Sequence, residues 1–271
     1  MSGADFASMT EPDVRIRFGA STHVGRIREH NEDSLIAQGR VFAIADGIGG
    51  HAAGEVASGI AVECLGELNT LDSVRAEDVA AVLHRTNARI LESAVRNPEQ
   101  TGMGTTVAGL TVVDVGRAAQ WMVFSVGDSR VYRLLGDQMS MVTQDHSLVR
   151  EMVEDGLITA EQAVNHHLRN VVTRSLGTDP APSPDMWVLS PQLGERFVVC
   201  SDGLSDELDD LAITVALQSN DDPQEAAEAL CLAAVDAGGR DNVSVIVVAL
   251  GPSGDARDET ERGSHHTLSP S

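Results

Sequence analysis

The chain predicts one domain of mixed strands and helices, and three observations carry that reading. Short apolar runs of strand length, each bounded by turn residues, recur at 41–45, 105–114, 119–126, 196–200 and 243–250. Helical stretches over 53–68, 78–96, 210–218 and 223–235 separate them, with Ala57, Ile60, Ala61, Cys64 and Leu68 on one face of the first. Gly136-Asp137 joins strand-like 132–135 to 138–142 as a two-residue hairpin turn.

Taken in order, residues 1–13 have little apolar content and read as disordered. From Val14 to Ala20 apolar residues alternate with arginines, as in a half-buried strand. A dense polar loop, Gly25 to Asp33, precedes strand-like Ser34–Ala37, a Gly39-Arg40 turn and the apolar run Val41–Ala45. That run ends in Asp46, Gly47, Gly49 and Gly50, where the backbone can turn tightly and approach a ligand. A hairpin at Gly39-Arg40 places Glu32 and Asp33 near Asp46. The helix over 78–96 carries Val79, Val82, Leu83, Thr86 and Ile90 inward and stops at Asn97-Pro98.

Residues 145–176 change character, with His146, His166, His167 and helical patches at 148–154 and 160–164. They read as a flap outside the core, and the His pair as a surface feature. Beyond the proline-rich connector 179–184 come strands at 185–189 and 196–200, two helices and the last strand, 243–250. The polar stretch 251–271 reads as a disordered tail, which leaves 14–250 as the domain.

Composition excludes several classes. At 42% hydrophobic residues the chain is globular, and no apolar run approaches the ~18 residues of a membrane span. With no basic, apolar leader, a cytoplasmic location is expected. Cys64, Cys200 and Cys231 lie far apart in apolar contexts and are expected as free buried thiols. The formal charge of −22 argues against nucleic acid and acidic membranes as partners. All 19 basic residues are arginine, so Schiff-base and P-loop lysine chemistry are absent.

Aspartates beside glycine then recur at strand ends: Asp46-Gly47, Gly127-Asp128, Asp202-Gly203, and Asp241 after Gly238-Gly239-Arg240. Each alone is an ordinary turn. Together with Glu32-Asp33, if the strand ends converge, they make a carboxylate cluster that cannot stay ionised without cations. Oxygen ligands with no Cys or His select Mg²⁺ or Mn²⁺ over zinc.

The motifs Arg28–Asp33 (RxxNED), Ala45–Gly50 (ADGIGG), 102–106 (GMGTT), 127–130 (GDSR), 201–206 (SDGLSD) and 239–242 (GRDN) occur in one order. In these the chain resembles the metal-dependent protein phosphatases of the 2C type, the PPM family, in its bacterial form. The resemblance implies an α+β fold, a four-layer α-β-β-α sandwich of two mostly antiparallel sheets flanked by helices. It implies a Ser/Thr protein phosphatase with two Mn²⁺ or Mg²⁺ ions in its core site and a third in bacterial relatives. Asp46 would bridge the two ions, the Gly47 carbonyl would bind one, and Asp202 and Asp241 would complete the other. Asp128 would bind the third with Asp202, Glu32 and Asp33 would hold metal-bound waters, and Arg28 would grip the substrate phosphate. The implied reaction is direct attack of a metal-bridging hydroxide on phosphorus.

Position 48 is a histidine, the proposed general acid, in many eukaryotic members. Here it is Ile48, which makes His51 the candidate. Expected partners are phosphoproteins, with a Ser/Thr kinase and its substrates, and a monomer. The alternative is a catalytically silent family member acting as a binding protein; such members usually lose a metal carboxylate, and every matched one is present.

Overall fold

The computed structural model describes residues 14–49, 53–116 and 118–252. Two antiparallel sheets stack face to face. The first runs β1 (Val14–His23), β11 (Val243–Pro252), β10 (Arg196–Cys200), β7 (Arg130–Leu135), β8 (Gln138–Met141). The second runs β2 (Asp33–Gln38), β3 (Val41–Ile48), β5 (Val107–Val115), β6 (Ala118–Val126), β9 (Asp185–Leu189), with the short β4 (Gly104–Thr105) beside β3.

Strand alternation builds three core layers from these sheets. Val41, Ala43 and Ala45 of β3 point outward to α1 (Ala53–Gly66) and α2 (Ala76–Arg96). Val243, Val245 and Val247 of β11 point the other way, to α6 (Asp210–Ser219) and α7 (Pro223–Ala237). The opposite parity, Phe42 and Ile44 with Trp121, Val123, Phe197, Val199, Ile246 and Val248, fills the space between the sheets. This is the α-β-β-α sandwich that the family resemblance implied. All three cysteines are buried and free.

Most expected elements appear within a few residues of their predicted ends. The first helix closes at Gly66 into a 3₁₀ turn (Glu67–Thr70), and β11 continues two residues past Leu250. The flap contains α3 (Leu148–Glu154) and α4 (Ala160–Val164). The expectation that the flap lies outside the core is corrected at its base. His146, Ser147, Val149 and Leu176 are buried, because His146 bonds the end of β6 and Leu176 pairs with Thr105 and packs in the core beneath α1 and α2. Among the described residues no helix is long and apolar enough to cross a membrane.

At the end of the sandwich where β10 begins, Glu195 is wholly buried. It accepts from Trp121 Nε1 at 2.7 Å, the Gln192 amide at 2.8 Å and Arg133 Nε at 2.8 Å. Arg133 also lies 5.7 Å from the Phe197 ring centroid. Glu195→Ala removes the counter-ion of a nearly buried guanidinium and is expected to cost about 3–5 kcal/mol. Glu195→Gln, which keeps the shape and one acceptor oxygen but turns the other into a donor, is expected to cost less. Urea unfolding midpoints check both, and an unmoved midpoint for the alanine variant would remove this network from the stability of the fold.

Candidate metal centre and active site

The layer between the sheets is apolar along most of its length and turns acidic at one end. On β3 the inward parity of Phe42 and Ile44 is continued by Asp46. The β2–β3 register sets Asp33 directly opposite it. That hairpin brings Glu32 and Asp33 to Asp46, as expected. From the other sheet, β10 runs into α5 (Asp202–Ser205), so Asp202 stands in the first turn of a short helix. Asp241 and Asn242 immediately precede β11, and Asp128 follows β6 through Gly127.

These side chains line one cavity of about 400 Å³, together with Arg28, Glu32, Gly47, Ile48, Thr106 and the flap residues Asn170, Val172 and Ser175. Asp33 lies behind the wall, buried. Its Oδ2 accepts from Ser201 Oγ at 2.8 Å, while Oδ1 has no hydrogen-bond partner. Asp202 Oδ1 is likewise buried and unpartnered. His51 lies outside the described residues. At position 48 an isoleucine side chain offers no proton.

Close approach explains the glycines. A Cβ on Gly47 would lie 2.3 Å from the Gly54 carbonyl oxygen and 2.6 Å from that of Glu32. The strand end is thereby pressed against the start of α1 and the 32–33 loop. Gly127 has φ +112, and a Cβ there would strike Thr106 at 2.6 Å.

Backbone hydrogen bonds hold the strand end rigid. The Thr106 amide donates to the Asp46 carbonyl at 2.9 Å, Thr105 Oγ1 donates to it at 2.8 Å, and the Asp46 amide donates to Thr106 Oγ1 at 3.2 Å. Asn242 ties the polar loop down. Its Nδ2 donates to the Val24 and His30 carbonyls, each at 2.9 Å, and its Oδ1 accepts from the Glu32 amide at 2.8 Å. Sequence reasoning quoted Thr106, Ser201 and Asn242 inside motifs without giving them work; their only signal was that position in a motif.

The electrostatics are those of crowded acids. Asp46 is pushed well above the usual carboxylate range by burial, then by Asp33, Asp202, Asp128 and Asp241. Asp202 is pushed well up by burial, then by Asp128 and Asp241. Burial raises Asp33 to about 6 against the pull of the nearby Ser244 and Ser201 hydroxyls, and raises Asp128 to about 6 with help from Asp145. Arg28 NH2 reaches Asp241 Oδ2 at 2.6 Å. Among the described residues no three His, Cys, Asp or Glu side chains close on a single point. The carboxylates stand around the cavity wall, and Asp241 is paired with Arg28. The donor set nevertheless fits a hard divalent cation. It is all oxygen, it includes orphaned buried oxygens, and among the described lining residues it lacks His and Cys.

Fold and site together define a class: a two-sheet sandwich that closes at one end on a cluster of carboxylates shaped for divalent cations. The chain belongs to the protein phosphatase 2C family, whose sequence model matches residues 26–236. It is 36% identical over 243 residues to the serine/threonine protein phosphatase PstP of Mycobacterium tuberculosis, an alignment covering 88% of this chain and 46% of that protein. The chain thus spans about half the length of that relative. The serine/threonine phosphatase stp of Listeria innocua is 36% identical over 242 residues, 84% of this chain and 93% of that one. A crystal structure of the mycobacterial PstP/Ppp superposes with a TM-score of 0.81 at 34% identity, covering 87% of this chain and 99% of that one. The PstP catalytic domain in complex with two manganese ions superposes at 0.78 with 33% identity, covering 88% and 99%.

A carboxylate whose folded pKa is raised binds its proton more tightly in the native state than in the unfolded chain. Stability is therefore lost as pH rises from the ordinary value through about 6, the position of Asp33 and Asp128. Chelator-treated protein is expected to be more stable, and so to melt higher, at pH 5 than at pH 7.5, by about 1.4 kcal/mol per group. A divalent cation at pH 7.5 is expected to restore the loss. Calorimetry at both pH values checks this, and a metal-free protein more stable at pH 7.5 would refute it.

Proposed function

We propose that the domain hydrolyses phosphoserine and phosphothreonine esters on proteins, with Mn²⁺ or Mg²⁺ held at the Asp46 cluster. The observation that carries this is the single cavity in which Asp46, Asp128, Asp202 and Asp241 converge beside a guanidinium. Relatives called serine/threonine phosphatases, one of them solved with two manganese ions, support it.

Asp46, Asp202, Asp241 and the Gly47 carbonyl are the residues that would hold two ions, and Asp128 with Asp202 a third. Ions bound there supply Lewis acidity and water acidified toward neutral pH. Asp46 takes the central place because the Thr105–Thr106 bonds fix its backbone from both sides. Glu32 and Asp33 orient water at the cluster's edge, Asp33 through the bond that Ser201 gives its other oxygen. Arg28, half exposed at the cavity wall, presents a planar donor pair to two phosphate oxygens and offsets charge developing on them. Ile48 leaves the leaving alkoxide to take its proton from water or from His51. The natural substrates are proteins phosphorylated by a Ser/Thr kinase. A silent, binding-only protein is disfavoured because Asp46, Asp128, Asp202, Asp241 and Glu32 all line the cavity, with Asp33 buried just behind it.

Purified protein is expected to hydrolyse p-nitrophenyl phosphate with Mn²⁺ and to stop with EDTA; activity that persists in chelator would reject the metal mechanism. Asp202→Asn is expected to lower kcat by at least ~10²-fold while circular dichroism stays native. Arg28→Ala is expected to act mainly on KM, and an unchanged KM would show that the arginine grips no phosphate.

A further inference from the structure

A second cavity of about 350 Å³ opens between the flap and the sandwich. One wall is aliphatic, with Val149 and Val153 one turn apart on α3 and Ala160, Ala163 and Val164 on α4. Its polar side carries Arg130, Arg150 and Arg169 with Asp145 and Asp206. Three cations against two anions is unusual in a chain of formal charge −22. Arg130 is neutralised, because Asp145 takes its Nε at 2.9 Å and its NH2 at 2.6 Å. Arg150 holds only the exposed Glu154, and Arg169 reaches Asp206 at 3.8 Å, beyond hydrogen-bond length. Both of these pairs are solvent-accessible, so the two guanidinium groups rim an aliphatic trough with counter-ions that an incoming carboxylate can displace at little cost.

The trough adjoins the carboxylate cavity. Arg169 lines the first and Asn170 the second, and Asn170 Nδ2 lies 3.5 Å from Asp206 Oδ2. Asp202 faces the cluster while Ser205 and Asp206 face the trough, about one helical turn or ~5 Å along α5. A chain with its phosphate at the cluster, extended at ~3.3 Å per residue, reaches the trough within about four residues.

We propose that this trough is a second binding site for the phosphoprotein substrate, taking an aliphatic side chain next to a carboxylate near the phosphorylated residue. The aliphatic group lies on α3 and α4, and the carboxylate pairs with Arg150 and Arg169 at the rim. The proposal rests on the phosphatase reading above and adds a substrate class to it: apolar and acidic flanking sequence.

Labelled phosphothreonine peptides carrying Leu-Glu two to four residues to either side are compared with Ala-Ala and Leu-Arg versions. Binding is read by fluorescence anisotropy with Mn²⁺ on non-hydrolysable phosphonate analogues of these peptides, and kcat/KM is read with Mn²⁺ on the phosphopeptides. At one of those offsets the Leu-Glu peptide is expected to bind about tenfold tighter and to gain similarly in kcat/KM through KM, a difference of about 1.4 kcal/mol. Arg150→Glu is expected to invert the Glu-over-Arg preference, and Ala163→Leu, which fills the trough, to erase the Leu-over-Ala preference. Wild-type affinities equal within twofold at every offset overturn the proposal, as does a preference that survives both substitutions. Failure of the phosphatase reading is a separate result: wild-type protein with Mn²⁺ leaves p-nitrophenyl phosphate intact, while anisotropy still reads the trough.

Discussion

Placing Asp33, Asp46, Asp128, Asp202 and Asp241 at one end of a layer otherwise filled by Phe, Ile, Val and Trp is the constraint on which the rest of the structure depends. Charges so placed lose hydration and repel one another, so each needs a proton, a cation or a guanidinium. The apolar remainder of the layer makes that tolerable. Phe42, Ile44, Trp121, Val123, Phe197 and Val199 lock the two sheets at a fixed spacing, and the acids cannot relieve their repulsion by swinging apart. A softer core would let them spread into water and lose the close approach that a divalent cation would need. The stability of the sandwich and the reactivity of its end are therefore one property.

What could be read in the chain follows from the range of the interactions. The β2–β3 hairpin was legible because strand alternation and a short turn are local, and they set Asp33 against Asp46 without help. The convergence of Asp128, Asp202 and Asp241 was legible only as a repeated glycine-aspartate pattern. Its geometry depends on how two sheets stack, and the layer order came from family resemblance, not from spacing. Ser201 and Asn242 were out of reach for the same reason. Ser201 meets Asp33 across 168 residues, and Asn242 meets Val24 across 218. Nothing local distinguishes such a serine or asparagine from a turn residue. The Arg28–Asp241 pair, 213 residues apart, was invisible too.

That pair ties two proposed roles together. Asp241 offers one oxygen to Arg28 and the other to its neighbour's amide, with Asn242 N at 2.8 Å from Oδ1. A carboxylate engaged in this way is oriented but partly spent. A cation that draws on Asp241 competes with Arg28, and a released guanidinium is the natural partner for an incoming phosphate dianion. An arginine suits this exchange better than a lysine would. Its charge survives any local field, and its planar donors can leave one pair of oxygens for another without losing geometry.

The flap is coupled to the cluster more tightly than its polar sequence suggests. The Gly127 amide donates to His146 Nδ1 at 2.9 Å, and the His146 amide returns a bond to the Gly127 carbonyl at 2.9 Å. Since Nδ1 accepts, the neutral ring carries its proton on Nε2, 3.1 Å from Asp185 Oδ2. The Thr173 amide closes the far end of the flap onto the His146 carbonyl at 2.8 Å. Both ends of the flap thus meet at His146, which is fastened to the residue that precedes Asp128. The segment between them, with α3 and α4, meets the sandwich through Arg169 and Asn170 at Asp206. The trough proposed to take substrate lies on this segment, and the carboxylate proposed to hold a cation lies next to Gly127. The His146 clasp joins the two.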